Sequence, residues 1–248
     1  MKIIIACIVA AIIAFGISFG LGYIVIPFLH KIKFGQTILD IGPKWHKNKQ
    51  GTPTMGGILF IVGTVVAFGV VLVIDKLLGG NIIEMNDIVA DSMRVKIYGG
   101  LIMALGFAFI GFLDDYIKVV KKRNKGLSII QKTVLQIVLM VGYLLTLYMN
   151  DPTGSMFIPF VGMVETKIFF WVIGIGVIYC TTNAVNFTDG IDGLCSGVAL
   201  MDCLAFGSFF YVVGYVEYAL LCCILFGAIV PFFFFNFFCF LSSSFCRC

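Results

Sequence analysis

Two pairs of carboxylates stand out for their type and spacing. In the stretch NAVNFTDGIDGL, residues 183–194, Asp189 and Asp192 are flanked by Asn183, Asn186, Thr188 and two glycines, at the end of a strongly apolar run. Ionisable groups beside a membrane span are costly to keep and default to a functional role. On a helix, positions three apart share a face. Such a pair suits Mg²⁺, which typically takes one or two carboxylates and fills its shell with water and substrate phosphates. The same residues also read as a capped helix start, with Thr188 or Asp189 as cap and Asp192 in the first turn. The second pair, Asp114 and Asp115 in LDDYIK, follows another apolar run. Adjacent residues on a helix point about 100° apart. One can therefore face a site while the other holds a lysine or a helix end. The alternative is a solvated interfacial pair beside Lys118, Lys121 and Lys122.

A third stretch, KNKQGTPTMGGILF, supplies cations and hydroxyls in place of acids. Lys47 and Lys49 offer charge, Thr52 and Thr54 hydroxyls, and Pro53 with Gly51, Gly56 and Gly57 the means to turn tightly. Such a loop could cradle a diphosphate, although the GxxxxGK[ST] order of a P-loop is absent. It also reads as the start of a helix with a small-residue packing face.

The elements that must position these groups are membrane spans. The chain has 248 residues, 60% hydrophobic and 12% charged, with mean hydropathy +1.08. A soluble domain carries about 25% charged residues. The composition therefore predicts an all-α, polytopic transmembrane helical bundle. Apolar runs of the length a span needs fall at about 3–29, 55–74, 97–113, 133–149, 168–187, 196–215 and 217–238. The first is too long for a cleaved signal and reads as a span that also directs insertion. The last two read as a helical hairpin around Glu217. The nine cysteines show no CxxC, and several fall in apolar spans, where they act as small hydrophobes.

Lys and Arg in the first four loops number five, three, six and one. The positive-inside rule then places loops one and three in the cytoplasm and the N-terminus outside. By alternation, all three polar stretches reach the cytoplasmic face. Acids, lysines and a site at the membrane plane together suit phosphoryl transfer from a soluble nucleotide donor to a lipid, chemistry in which positioning and charge neutralisation do most of the catalysis. His30 and His46 read as interfacial, as do Trp45 and Tyr116, and no basic amphipathic stretch suggests nucleic-acid binding. Asp202, inside the sixth span, is expected to be buried with a partner or to snorkel. A transporter would want acids near mid-span, whereas the four aspartates sit at span ends.

HKNKQGTPTMGG, GFLDDYIKVVKKRNKGL and NAVNFTDGIDGL occur here in the order found in the phospho-N-acetylmuramoyl-pentapeptide transferase family. The chain resembles that family from about residue 30 to 236. The resemblance implies a polyprenyl-phosphate sugar-1-phosphate transferase of the bacterial inner membrane, multi-pass, with its active site on the cytoplasmic face. It would move phospho-MurNAc-pentapeptide from UDP-MurNAc-pentapeptide to undecaprenyl phosphate, giving lipid I and UMP, with Mg²⁺. Asp114, Asp115 and Asp192 would be catalytic, Asp114 activating the lipid phosphate. Lys47 or Lys49, with Thr52, Asn186 and Asp189, would bind substrate, and Asp189 and Asp192 would hold the metal. Membrane lipids are implied partners, and the resemblance leaves room for a homodimer. Another UDP-sugar is the alternative donor, which GTPTMGG argues against. The family fold has ten spans, of which about seven are expected here. A further metal-binding aspartate and a histidine-rich loop of the family have no counterpart, and the tail CFLSSSFCRC matches no family segment. Residues 1–236 are accordingly expected to be an incomplete transferase domain and 237–248 an aberrant low-complexity tail, and the chain alone is expected to bind donor poorly and to turn over little or nothing.

Overall fold

A computed structural model describes residues 2–31, 55–77, 79, 88–121, 126–158, 160–189 and 193–245. In chain order these form α1 (Lys2–Lys31), α2 (Ile58–Leu77), α3 (Ile88–Val120), α4 (Ile129–Asn150), β1 (Ser155–Ile158), β2 (Gly162–Glu165), α5 (Phe169–Thr188), α6 (Leu194–Val213) and α7 (Val216–Phe245). All seven helices are long and apolar enough to cross a membrane. They coincide with the seven expected spans, because an uninterrupted apolar run leaves the backbone no hydrogen-bonding partner but its own helix. Two bounds differ. α3 extends well beyond 97–113 at both ends and carries Asp114 and Asp115 inside it. The backbone of α7 continues through the first part of the expected tail.

The chain divides into two compact units, residues 1–82 with 188–248, and residues 83–187. The first unit is built on close approach of small residues. A β-carbon at Gly227 would meet the backbone of Ala11, one at Gly63 would meet Ser18, and one at Gly22 would meet the Phe235 ring. Small residues are the usual device for helix association in lipid, where no hydrophobic force draws apolar helices together. The contacts advance in the same direction along both chains, from Ala11 against Gly227 to Phe19 and Gly22 against Phe235, so α1 and α7 run parallel. That is what strict alternation over seven spans requires. Ser18 is fully buried and donates its hydroxyl to the Leu59 carbonyl (3.3 Å), joining α1 to α2. α6 ends on Gly214 in the left-handed region (φ 91°), with Gly214 and Tyr215 N–H groups returning to the Phe210 and Tyr211 carbonyls. This glycine-ended helix stop folds α7 straight back, so the hairpin turns at Gly214–Tyr215 and Glu217 lies already in the first turn of α7.

The second unit is an antiparallel run of α3, α4 and α5. Gly106 lets Leu139 close against α3, and Gly174 does the same for Leu144 on α5. Between α4 and α5 the structure adds an antiparallel hairpin, β1–β2, in register Ser155↔Glu165 to Ile158↔Gly162. The hairpin base is tied down by Thr166, buried, whose hydroxyl donates to the Gly154 carbonyl (2.7 Å), and by Lys167 N–H to the Thr153 carbonyl (3.3 Å). Asp151 closes the C-terminal end of α4 and accepts from Thr153 Oγ1 (2.6 Å) and Thr153 N–H (3.1 Å). The Thr153 hydroxyl, first among these donors, holds the Asp151 carboxyl below its ordinary range.

Candidate active site at the polar end of the second unit

The C-terminal turns of α3, the N-terminus of α4 and the C-terminal turns of α5 meet at one end of the second unit. Four residues separate Asp114 from Lys118 on α3, and three separate Asp115 from it. Both spacings bring side chains together on a helix. Lys118 Nζ lies 2.6 Å from Asp114 Oδ2 and 3.0 Å from Asp115 Oδ1. One ammonium thus bridges both carboxylates. Where one aspartate was expected to hold a lysine or a helix end, both hold the lysine, and Asp114 meets a helix start as well. Its second oxygen, Oδ1, accepts from the Leu127 N–H at 2.8 Å, just before α4 begins. The positive end of the α4 dipole favours a carboxylate there.

This approach depends on Gly126. A β-carbon there would sit 2.7 Å from Asp114 Cγ and from the Asp114 carbonyl oxygen. Only the missing side chain lets the segment before α4 fold onto the end of α3. The start of α4 is fixed in turn by a capping box: Gln131 N–H donates to Ser128 Oγ (3.2 Å), and Ser128 N–H to Gln131 Oε1 (3.0 Å). One turn further on, Lys132 acts electrostatically on Asp114 and makes a long 3.5 Å contact with Asn186 Oδ1 of α5. Lys132 therefore links the aspartate pair to the polar end of α5. Upstream on α5, Thr181, Thr182 and Asn183 donate to the carbonyls four residues before them, at 2.7, 2.7 and 2.9 Å. That bonding satisfies polar side chains along a span without any partner helix, and it accounts for Asn183 structurally.

Of the residues named from the sequence, the structure brings together Asp114, Asp115 and Asn186. Asp189 belongs to the first unit. α5 closes at Thr188, Asp189 lies in the turn that follows, and α6 starts after Gly193 (φ 79°), which caps it with no side-chain bond. The helical face proposed for Asp189 with Asp192 therefore does not describe Asp189, and neither Thr188 nor Asp189 is the cap of α6. Gly193, in the left-handed region, leads into α6. Asp192, Lys47, Lys49 and Thr52 lie outside the described residues, as do His46 and Trp45. Of GTPTMGG, only 55–57 are described. They form the turn that starts α2, with Ile58 N–H to the Met55 carbonyl at 3.3 Å and Gly56 against Phe232. Asp202 is exposed on α6 rather than buried with a partner. Tyr116 is exposed and stacked on Phe112.

Sequence reasoning missed Gly126, the bridging role of Lys118 and the link through Lys132. The capping box was the readable signal. Ser128 followed three residues later by Gln131, before an apolar run, marks a helix start, and it places the end of the basic loop beside α4. Among the described residues, no group of three or more His, Cys, Asp or Glu side chains gathers as a metal site. The oxygens of Asp114 and one of Asp115 are taken by Lys118 and Leu127.

Comparison with known proteins decides the family. The sequence model of Glycosyl transferase family 4 matches residues 97–240, more than half the chain and all of the polar end just described. The chain belongs to glycosyl transferase family 4. Residues 49–61 also match the Phospho-N-acetylmuramoyl-pentapeptide-transferase signature 1. Among curated relatives of the family member, a Phospho-N-acetylmuramoyl-pentapeptide-transferase of Clostridium perfringens (strain SM101 / Type A) is 38% identical over 218 residues, covering 87% of this chain and 61% of the relative. One from Listeria monocytogenes serovar 1/2a (strain ATCC BAA-679 / EGD-e) is 36% identical, covering 85% of this chain and 61% of the relative. The chain thus spans about 61% of the length of the curated relatives it matches. Seven helices able to cross a membrane and these relatives make this family member a multi-pass membrane protein.

Proposed function

We propose that this protein transfers phospho-MurNAc-pentapeptide from UDP-MurNAc-pentapeptide to undecaprenyl phosphate, yielding lipid I and UMP. Family membership, the signature at 49–61 and the names of the relatives support the donor and acceptor. The observation that carries the phosphoryl-transfer chemistry is the Asp114–Lys118–Asp115 bridge at the end of a span. In this reading an oxygen of the lipid phosphate attacks the sugar-bearing phosphorus of the donor, and the bond from that phosphorus to UMP breaks. Asp114 positions and activates the attacking phosphate. Lys118 must first leave it. A mobile ammonium is well suited to that exchange, since it can move from the carboxylates to incoming phosphate oxygens. Asp115 holds Lys118 until then, and Lys132 with Asn186 orients charge on the opposite side of the pair. Asp189 and Asp192 complete the reading as donor-binding and metal-binding residues, with Lys47, Lys49 and Thr52 in the donor loop. Mg²⁺ is assigned to Asp189 and Asp192. Asp114 and Asp115, engaged as they are by Lys118, do not fit a cation. We place the site on the cytoplasmic face of the bacterial inner membrane and the N-terminus outside, from the loop charge.

The test is UMP release under single-turnover conditions, with the 248-residue chain in undecaprenyl-phosphate vesicles and in excess over donor. Asp114→Asn is expected to slow the release by about 100-fold, the lower range for loss of a positioned acid–base group, with the circular dichroism spectrum unchanged. Equal rates for both chains would remove Asp114 from the reaction. Equal use of UDP-N-acetylglucosamine would overturn the donor assignment.

A further inference from the structure

The end of the second unit opposite the aspartates carries an unexplained apolar surface. Phe160, at the β1–β2 turn, is 108% exposed, next to Val161 at 71% and Met163 at 69%. Phe160 sits in the left-handed region (φ 69°), where the Val161 N–H returns to the Ile158 carbonyl. A bulky residue is rarely found there, and glycine is the usual choice at that place in a turn. The strain is kept with the ring standing free at the tip. The polar groups of the segment, Asp151, Thr153, Ser155, Glu165 and Lys167, all lie at the hairpin base, and residues 152–164 contain no charge. A hairpin projecting straight into water would put its polar end at the bilayer and its apolar end in solvent, the reverse of what transfer energies favour.

We propose that the β1–β2 hairpin lies against the lipid surface and anchors α4 and α5 at the membrane–water interface through Phe160, Val161 and Met163. The base fixes where the tip can go. It is pinned through Thr166 and Gly154 to the ends of both spans, and a four-residue strand reaches only about 13 Å. The tip is also continuous with lipid-facing surface, since Met149 on α4, Ile168 just before α5, and Phe169 and Val172 on α5 are exposed immediately below it. The size of the patch selects lipid over protein. Three side chains bury a few hundred Å² at most, short of the roughly 1,000 Å² of a stable protein interface. No charge is present at the tip to steer a protein partner. Interfacial partitioning needs only apolar area beside a polar flank.

The test places a tryptophan at the tip, Phe160→Trp, in the full chain with Trp45→Phe and Trp171→Phe, in phosphatidylcholine vesicles with and without acyl chains brominated near the headgroup. The expected result is blue-shifted emission that loses roughly half its intensity with brominated lipid, as for a ring at the acyl boundary. Glu165→Trp in the same background, at the hairpin base, is expected to stay red-shifted and weakly quenched. Water-like emission from the tip overturns the proposal. Blue-shifted emission indifferent to bromine also overturns it, because protein then covers the ring. Should the background chain fail to fold, the difference spectrum between Phe160→Trp and the parent with both native tryptophans reads the same quantity.

Discussion

The first unit is held together along its length, and the second at its two ends. In the first, α1, α2 and α7 meet through Gly22, Gly63 and Gly227, with 22%, 33% and 39% of their span windows buried, while α6 buries 11%. In the second, α3, α4 and α5 bury only 11–17% of theirs, and polar closures do the joining: the Lys118 bridge and capping box at one end, the hairpin base at the other. Backbone contact in lipid gives a rigid support, since close packing transmits any misfit. Polar closures at span ends can exchange partners, as a site receiving phosphates must. The contrast implies that substitutions at the glycine contacts of the first unit show as lost stability, and those around the Lys118 bridge of the second as lost chemistry.

The largest break should come from Gly227→Val. A β-carbon there would lie 2.8 Å from the carbonyl carbon and Cα of Ala11. Overpacking against backbone is expected to cost about 3 kcal/mol, read as a fall in the unfolding midpoint of the chain in lipid bicelles. A stability loss no larger than that of an exposed substitution such as Val66→Ala would refute backbone contact as the support. Next comes Gly126→Ala, which displaces Asp114 from Leu127. Misplacing a reacting group by about 1 Å can cost on the order of 100-fold. UMP release should therefore fall by about that factor, while the unfolding midpoint moves less than in Gly227→Val. The reverse ordering would erase the distinction between the units.

Smaller effects sharpen it. Ser128→Ala removes the capping hydroxyl and is expected to destabilise the start of α4 by about 1 kcal/mol, seen as faster hydrogen exchange at 129–132 with no change in α7. The smallest effect is acid sensitivity at the far end. Because the Asp151 carboxyl lies below its ordinary value when folded, its contribution is fully present above the ordinary carboxylate range. That contribution is lost as pH falls through the lowered value. Exchange protection at 153–155 should decline over that interval, and a Thr153→Val chain should lose the dependence. A pH response that persists unchanged in Thr153→Val would assign it to another group.

The seven spans were legible because a run of about twenty apolar residues admits one backbone solution in lipid. That α1 and α7 run parallel follows from the same count, since the first and seventh of seven alternating spans point the same way. The polar end was legible only in part. Residue type marked Asp114 and Asp115, but their shared lysine depends on α3 continuing as helix to Val120, past the point where hydropathy falls. Gly126 gives no local sign of its role, since the clash it avoids is with a residue twelve positions earlier. The hairpin was invisible because SMFI and GMVE, at four residues each, are too short for a two-residue period to stand out from the sequence. The local setting of Asp189 was not legible because α5 ends at Thr188 and Asp189 lies in the turn after it, where a helical spacing rule does not apply.

Charge accounting around Lys118 has a last consequence. Asp114 and Asp115 face Lys118 and Lys132, two negative groups and two positive. Among these four side chains the charges balance, which lowers the cost of keeping them at the end of a span. A polyanion arriving there upsets that balance and cannot settle without counter-ions of its own. Its affinity should accordingly rise with whatever cation accompanies it.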